Sequence, residues 1–203
     1  MSPPSEDSPL ALADMQPEYG PKERSLLLEL AHQAIVARLE RREILPASYS
    51  EHLSEPRGVF TTIYSDQKLR GCVGYPAALT PLFRAVIETA QGAAFDDPRF
   101  PSLTLGEATN FQVSLSILSP LVPIAAEEVE VGRHGLMISY KGQRGLLLPQ
   151  VPVEHGWDRA TFLEQTCRKA GIPLDAWQHG AKIEAFSAEV FADGDIVENR
   201  MQK

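Results

Sequence analysis

From Phe111 to Ile117 apolar and polar side chains alternate without interruption: Phe111, Val113, Leu115 and Ile117 against Gln112, Ser114 and Ser116. Successive side chains of a strand point to opposite faces, so this stretch reads as a strand with one face in a core. Its other face carries two hydroxyls, free to bind a ligand or to meet water. A second run, Val59 to Tyr64, alternates β-branched and aromatic residues and reads the same way. Ser65-Asp66-Gln67-Lys68 then forms a hairpin loop, and the chain returns through Leu69 to Val73. A second hairpin is expected where Leu136–Tyr140 and Leu146–Val151 flank Lys141–Arg144, and a last strand near Ile183–Phe191.

Three helices are expected between these strands. Leu28, Ala31, Ile35 and Leu39 recur at helical spacing, which predicts about 20 helical residues from Lys22. Pro46 should stop that helix through its effect on the preceding residue. Thr80-Pro81 supplies an N-cap hydroxyl and a first-position proline for a helix over about 81–94. Asp158 caps a third, ended by Gly171 with Pro173 beyond it. Hairpins outnumber strand-helix-strand crossovers, so the fold class is α+β, a mainly antiparallel sheet with flanking helices.

Residues 1–18 hold four prolines, four acidic residues and no Lys or Arg, and are expected to form a disordered tail ahead of one folded unit over 19–203. Across 203 residues, 19 Lys and Arg against 27 Asp and Glu give a net charge of −8. That balance argues against sequence-independent nucleic-acid binding, which needs a basic face to release counterions. No apolar run approaches the roughly 20 residues of a membrane span, and no signal segment opens the chain, so a soluble, cytoplasmic protein is expected. Two cysteines far apart, Cys72 and Cys167, suggest free thiols rather than a disulfide or zinc framework.

Leu69-Arg70-Gly71-Cys72-Val73-Gly74 is the segment richest in chemistry. As a regular strand it places Leu69 and Val73 on the core face, and Arg70 and Cys72 together on the other, roughly 6 to 7 Å apart by strand rise. A permanent cation at that range favours thiolate over thiol. Gly71 and Gly74 permit close approach of a ligand or of another backbone. The plain alternative is that Cys72 fills a core and the glycines serve packing. Cys167 shares a helix face with Leu163 and Ala170 and reads as a core residue. Asp97-Pro98-Arg99 reads as a rigid turn closed by a local ion pair. The five histidines are scattered, are expected mostly at the surface, and have no metal-site spacing. Nucleotide-loop, serine-hydrolase and calcium-loop motifs are absent, and the residues name no cofactor.

Taken in order, Leu69–Gly74, Asp97–Pro101, Gly145–Val151, Gly156-Trp157, Phe162-Leu163 and Cys167–Gly171 resemble the AMMECR domain family, called protein A of the AmmeMemoRadiSam system in bacteria and archaea. The resemblance spans about residues 25–191. It implies one α+β unit of two lobes around a cleft, and partnership with a Memo-like protein and a radical-SAM enzyme in a modification pathway. Arg70, Gly71, Cys72, Gly74, Asp97, Arg99, Gln150, Trp157, Cys167 and Lys169 match the family's motifs. Pro152 and Asp66-Gln67 depart from them.

Three readings follow. In the first the chain is a thiol-dependent enzyme: Cys72 is the nucleophile or redox thiol, Arg70 stabilises the thiolate and orients a small anionic or carbonyl substrate, and Gln150 polarises a carbonyl. In the second it is a non-catalytic ligand- or protein-binding module in which Arg70 and Arg99 grip an anion. In the third the signature maintains the fold, with Gly71 and Gly74 for packing and Asp97 with Arg99 as a clamp.

Overall fold

The computed structural model describes residues 17–44 and 48–194. The chain runs α1 (Pro21–Leu39), α2 (Glu51–Ser54), β1 (Gly58–Ser65), β2 (Lys68–Tyr75), α3 (Leu82–Phe95), β3 (Phe111–Leu118), β4 (Val122–Pro123), β5 (Gly135–Tyr140), β6 (Gln143–Leu147), α4 (Gln150–Glu154), α5 (Arg159–Ala170), β7 (Lys182–Phe186) and β8 (Ala188–Ala192). Two four-stranded sheets result, ordered β2-β1-β3-β8 and β4-β7-β5-β6, and every strand pairing is antiparallel. The fold is α+β.

Each sheet has its own core. In the first lobe the inward residues Val59, Ile63, Val113, Leu115 and Phe191 pack under α1 and α3, with Leu27, Ala31, Ile35, Val86 and Ala90 from the helices. In the second, Leu136, Ile138, Ile183 and Ala185 pack against Phe162, Leu163 and Cys167 of α5. The chain crosses between lobes twice, out after β3 and back into β8. Ser119 and Ser187 tie the two passes together: Ser119 N–H donates to the Ser187 carbonyl at 3.0 Å, and Ser187 N–H to Ser119 Oγ at 3.0 Å.

Most sequence expectations hold, with five corrections. The first helix ends at Leu39, six residues before Leu45 and Pro46, which lie outside the described residues. Its stop is Arg41, in the left-handed region at φ 55°, with Arg42 N–H closing onto the Ala37 carbonyl at 2.8 Å. Thr80 does not cap α3; Pro81 itself is the N-cap, without a side-chain hydrogen bond. The strand expected over Leu146–Val151 stops at Leu147, and α4 follows. The last strand is two, because at Ser187 the chain leaves one sheet for the other. Of the expected acidic tail, residues 1–16 lie outside the described ones, but Glu18 is anchored: its N–H donates to Glu189 at 2.8 Å and its carboxylate accepts from Arg57 at 2.8 Å.

The expected cap and stop of α5 are present: Asp158 accepts from Thr161 N–H at 2.8 Å, and Gly171 has φ 70°. Both hairpin turns use two left-handed residues, Asp66-Gln67 and Lys141-Gly142, as the twist of paired strands requires.

Candidate functional site

The signature segment forms β2, an edge strand of the first sheet. Its register against β1 slips: Ile63 faces Gly71, but Tyr64 faces Leu69, so Arg70 is the extra residue of a bulge. The slip overturns the facing expected for Leu69, while Val73 and Cys72 keep theirs. Gly71 and Val73 point inward, whereas Leu69 shares the outward face with Tyr64 and is 43% exposed. Cys72 faces outward, half-buried, opposite Thr62 and in one row with Ser114.

Arg70 does not serve the thiol. Its Nε and Nη2 donate to the two oxygens of Glu107 at 2.8 and 3.3 Å, and its Nη1 donates to the Pro101 carbonyl at 2.8 Å. Glu107 also accepts from the Thr104 N–H and hydroxyl, and these bonds, Arg70 first, hold its carboxyl down at about 2. Arg70 therefore staples the 101–107 segment to the bulge. Glu107 was missed in the sequence reading, although Thr104 followed by Glu107 has the spacing of a capping box.

The cation at Cys72 is Arg99. Asp97, whose side chain is only 3% exposed, accepts from Arg99 Nη2 at 2.7 Å and Nε at 3.0 Å, from Arg99 N–H at 3.1 Å and from Cys72 N–H at 2.9 Å. Those bonds, led by Arg99, hold the Asp97 carboxyl well below the usual carboxylate range. Arg99 Nη2 also donates to the Cys72 carbonyl at 3.3 Å. The Asp97 carboxylate raises the Arg99 guanidinium above its ordinary value. Thr62 Oγ1 donates to Cys72 Sγ at 3.4 Å. Cys72 thus has one hydroxyl donor at its sulfur and one guanidinium at its carbonyl.

The glycines are required by close approach. A Cβ at Gly71 would stand 2.0 Å from the Ala93 carbonyl oxygen of α3, and one at Gly74 would stand 2.1 Å from the Phe60 ring. Gly74 therefore lets Phe60 lie flat across the edge strand, beside the Cys72 row.

Gln150 opens α4 in the second lobe and, with Gly132, Pro149, Val153, Glu154, Ala188 and Val190, lines a cavity of about 360 Å³ where the lobes meet. It looks onto the outward face that carries Cys72, but at the opposite edge. Three strand spacings separate β2 from β8, roughly 14 Å, so Gln150 and Cys72 do not converge on one atom.

The histidines stand elsewhere. His32 pairs with Asp193, His52 with Glu23 and His179 with Asp175, while His155 stacks on Trp157. His134 alone of the five is buried; its Nδ1 accepts from Glu130 N–H, and burial lowers its pKa. Cys167 is fully buried as expected, and desolvation pushes its thiol up. Among the described residues no three His, Cys, Asp or Glu side chains gather as a metal ion requires, and no helix is long and apolar enough to cross a membrane.

Fold and site together define a two-lobed α+β protein with an outward-facing thiol on a clamped edge strand. The chain belongs to the AMMECR1 family, whose profile matches residues 28–191. It is 41% identical over 194 residues to protein MJ0810 of Methanocaldococcus jannaschii, covering 89% of this chain and 96% of that one. It is 40% identical over 184 residues to protein MK0488 of Methanopyrus kandleri, covering 85% and 89%. The crystal structure of the uncharacterized protein PH0010 from Pyrococcus horikoshii superposes with a TM-score of 0.74 at 41% identity, covering 88% of this chain and 93% of that one.

Proposed function

We propose that this protein acts through Cys72 as a thiol-dependent enzyme on a small carbonyl compound bound in the cleft, with Arg99 in the role that the sequence suggested for Arg70. The observation that carries this reading is the surroundings of an outward-facing thiol: the Thr62 hydroxyl donates to Sγ at 3.4 Å, and the Arg99 guanidinium is bonded to the carbonyl of the same residue. Asp97 and Arg99 hold the N–H and C=O of Cys72 along the open edge, so the side chain is presented from a rigid strand.

The test uses p-nitrophenyl acetate as an activated carbonyl probe. The thiolate attacks the carbonyl carbon, the C–S bond forms, the C–O bond breaks, p-nitrophenolate leaves, and the thiol proton passes to buffer. The native chain should release nitrophenolate in a burst and carry the acetyl group on Cys72, faster than the urea-unfolded chain. Cys72→Ala should abolish the burst and Thr62→Val should slow it. A native rate no greater than the unfolded one would sink the proposal.

A non-catalytic binding module is the second reading, favoured by the cavity of about 360 Å³ at Gln150, which Cys72 does not line; the pairing of Arg70 and Arg99 with carboxylates counts against their gripping an anion. It expects ligand binding to survive Cys72→Ala. We also propose, on the family resemblance, that the protein works beside a Memo-like protein and a radical-SAM enzyme; co-purification with either supports this, and its consistent absence counts against it.

A further inference from the structure

The second sheet ends on β6 with open backbone groups. Lys141-Gly142 is a two-residue turn, so Tyr140 and Gln143 close it as a hydrogen-bonded pair, and the register runs on without a slip. Ile138 with Gly145 and Leu136 with Leu147 are then hydrogen-bonded pairs, and the pairs between them, Ser139 with Arg144 and Met137 with Leu146, are not. Ser139 and Met137 turn their N–H and C=O groups to β7, against which they are in register. Arg144 and Leu146 turn theirs the other way, where β6 has no neighbouring strand. The edge therefore offers two N–H and two C=O groups, and among the described residues nothing bonds to them. At the β2 edge of the first sheet, by contrast, the Asp97 and Arg99 side chains take the N–H and C=O of Cys72.

Cations frame that edge on both faces. Gly145 faces α5, where an added Cβ would stand 2.3 Å from the Ala170 nitrogen, so its neighbour Arg144 lies exposed on the opposite face. The buried stripe of α5 is Phe162, Leu163, Thr166, Cys167 and Ala170. The Trp177 backbone lies against the Cys167 thiol, and Trp177 shares a cavity wall with Ile183 of β7, so Cys167 marks the flank of α5 toward β7. Lys169, two residues on, is about 200° further around the helix and stands on the other flank, the one toward β6. Glu164, three residues before Cys167, belongs to the β7 flank. Lys141 is exposed in the turn, with its Nζ 5.0 Å from the centre of the Tyr140 ring.

Open strand groups set between cations are what an extended acidic chain completes: the backbone bonds fix its register and the flanking charges select its sign. Edge cations turn away chains of like charge, which protects the edge, and draw in an acidic one. A second copy of this chain fits badly, because pairing β6 with β6 would bring Arg144 and Lys169 of one copy against the same cations of the other. We propose that β6 is the docking edge for an extended acidic segment of a partner protein, which adds to the second sheet as a fifth, antiparallel strand. The residue of that segment opposite Arg144 is acidic and meets the guanidinium on the outer face. The residue opposite Gly145 is acidic and points toward Lys169 on the helix face, and the residue opposite the half-buried Leu146 is apolar.

The probe is the peptide Ac-Thr-Val-Glu-Glu-Thr-NH2, whose valine meets Leu146 and whose second glutamate meets Arg144, titrated by NMR into the full chain at low salt. Before peptide is added, the amides of Arg144 and Leu146 should exchange quickly with deuterium, while those of Gly145 and Leu147 are protected by β5. Slow exchange at Arg144 and Leu146 would overturn the proposal, because residues 1–16 or a second copy would already hold the edge. The peptide should shift signals of residues 139–147 and 165–170. N-methylation of the valine or of the second glutamate deletes a strand bond and should abolish those shifts, whereas N-methylation of the first glutamate, whose N–H points to solvent, should leave them. Exchanging both glutamates for lysine should weaken binding about tenfold, the worth of two exposed ion pairs. Arg144→Glu with Lys169→Glu, both at exposed positions, should do the same to the acidic peptide and restore the lysine one. Absence of shifts with the parent peptide, indifference to which amide is methylated, or equal binding of the glutamate and lysine peptides would each overturn the assignment.

Discussion

Gly71→Ala tests the packing that presents Cys72. The added Cβ would lie 2.0 Å from the Ala93 carbonyl oxygen, and even a tight contact needs 3.0 Å, so β2 and α3 must separate by 3.0 − 2.0 = 1.0 Å along that line. Neither side has a soft end to move, since both are backbone. A gap of about 1 Å forfeits up to half the dispersion energy of the atoms it parts, and Val73 against Gly92 is among the contacts parted. Overpacking of this kind costs about 3 kcal/mol, or a fall in Tm of about 6 to 12 °C for a chain of this size. Gly92→Ala is the matched control. Its Cβ would meet Val73 Cγ1 at 2.9 Å, a side chain that can turn, and the gain in helix propensity of about 1 kcal/mol offsets the crowding. Urea unfolding followed by circular dichroism should rank Gly71→Ala far below Gly92→Ala. Equal costs for the two, or a Gly71→Ala protein within about 1 kcal/mol of the parent, would refute the close-approach account.

Asp97 and Glu107 have depressed carboxyls, so their contribution is complete above the unfolded values near 4 and is lost as pH falls toward the folded ones. The parent should lose stability steeply between about pH 4 and pH 2, whereas Asp97→Asn should show a shallower fall from a neutral-pH stability about 2 kcal/mol lower; parallel pH curves would count against the clamp. His52 is raised chiefly by its hydrogen bond to Glu23, so its contribution is present below the unfolded value near 6.5 and lost as pH rises through the folded one. Stability of the parent, but not of His52→Gln, should therefore decline on the alkaline side, as read by urea midpoints. Iodoacetamide should modify Cys72 in the native chain and leave Cys167 untouched until unfolding, and labelling of Cys167 first would contradict their burial.

The strands around the site were legible because alternation is a local property. Phe111–Ile117 could be assigned inward and outward faces from its own residues, and the cap and stop of α5 likewise belong to Asp158 and Gly171 alone. The bulge at Arg70 was not legible. It is a relation between β2 and β1, and nothing in Leu69–Gly74 says that Tyr64 will face Leu69. That single slip moved Leu69 outward and sent Arg70 to Glu107, so the arginine assigned to the thiol from strand parity was the wrong one. The division of the last strand at Ser187 was hidden for the same reason, since Ile183–Phe191 stays largely apolar while its partners change from β5 and β4 to β3. The Asp97–Arg99 clamp was legible as an ion pair, but its object, the Cys72 peptide, lies 25 residues away in sequence.

As an edge strand, β2 would otherwise offer the N–H and C=O of Cys72 to any passing chain. Asp97 takes the N–H and Arg99 the C=O, so the pair occupies the place of a neighbouring strand while its charges cancel beside the sulfur. The cancellation is testable. Arg99 is 56% exposed and keeps its charge whatever happens to Asp97. Asp97→Asn therefore leaves a cation next to Cys72 with no carboxylate to balance it, and Arg99→Gln removes the cation. The ratio of iodoacetate to iodoacetamide labelling at Cys72 should rise in Asp97→Asn and fall in Arg99→Gln, because only the charged reagent senses the field. Both ratios should converge on that of the parent at 1 M salt, where the Debye length is about 3 Å. A ratio unmoved by either substitution would mean that Arg99 does not act on the thiol, and the clamp would then be a device for the strand edge alone.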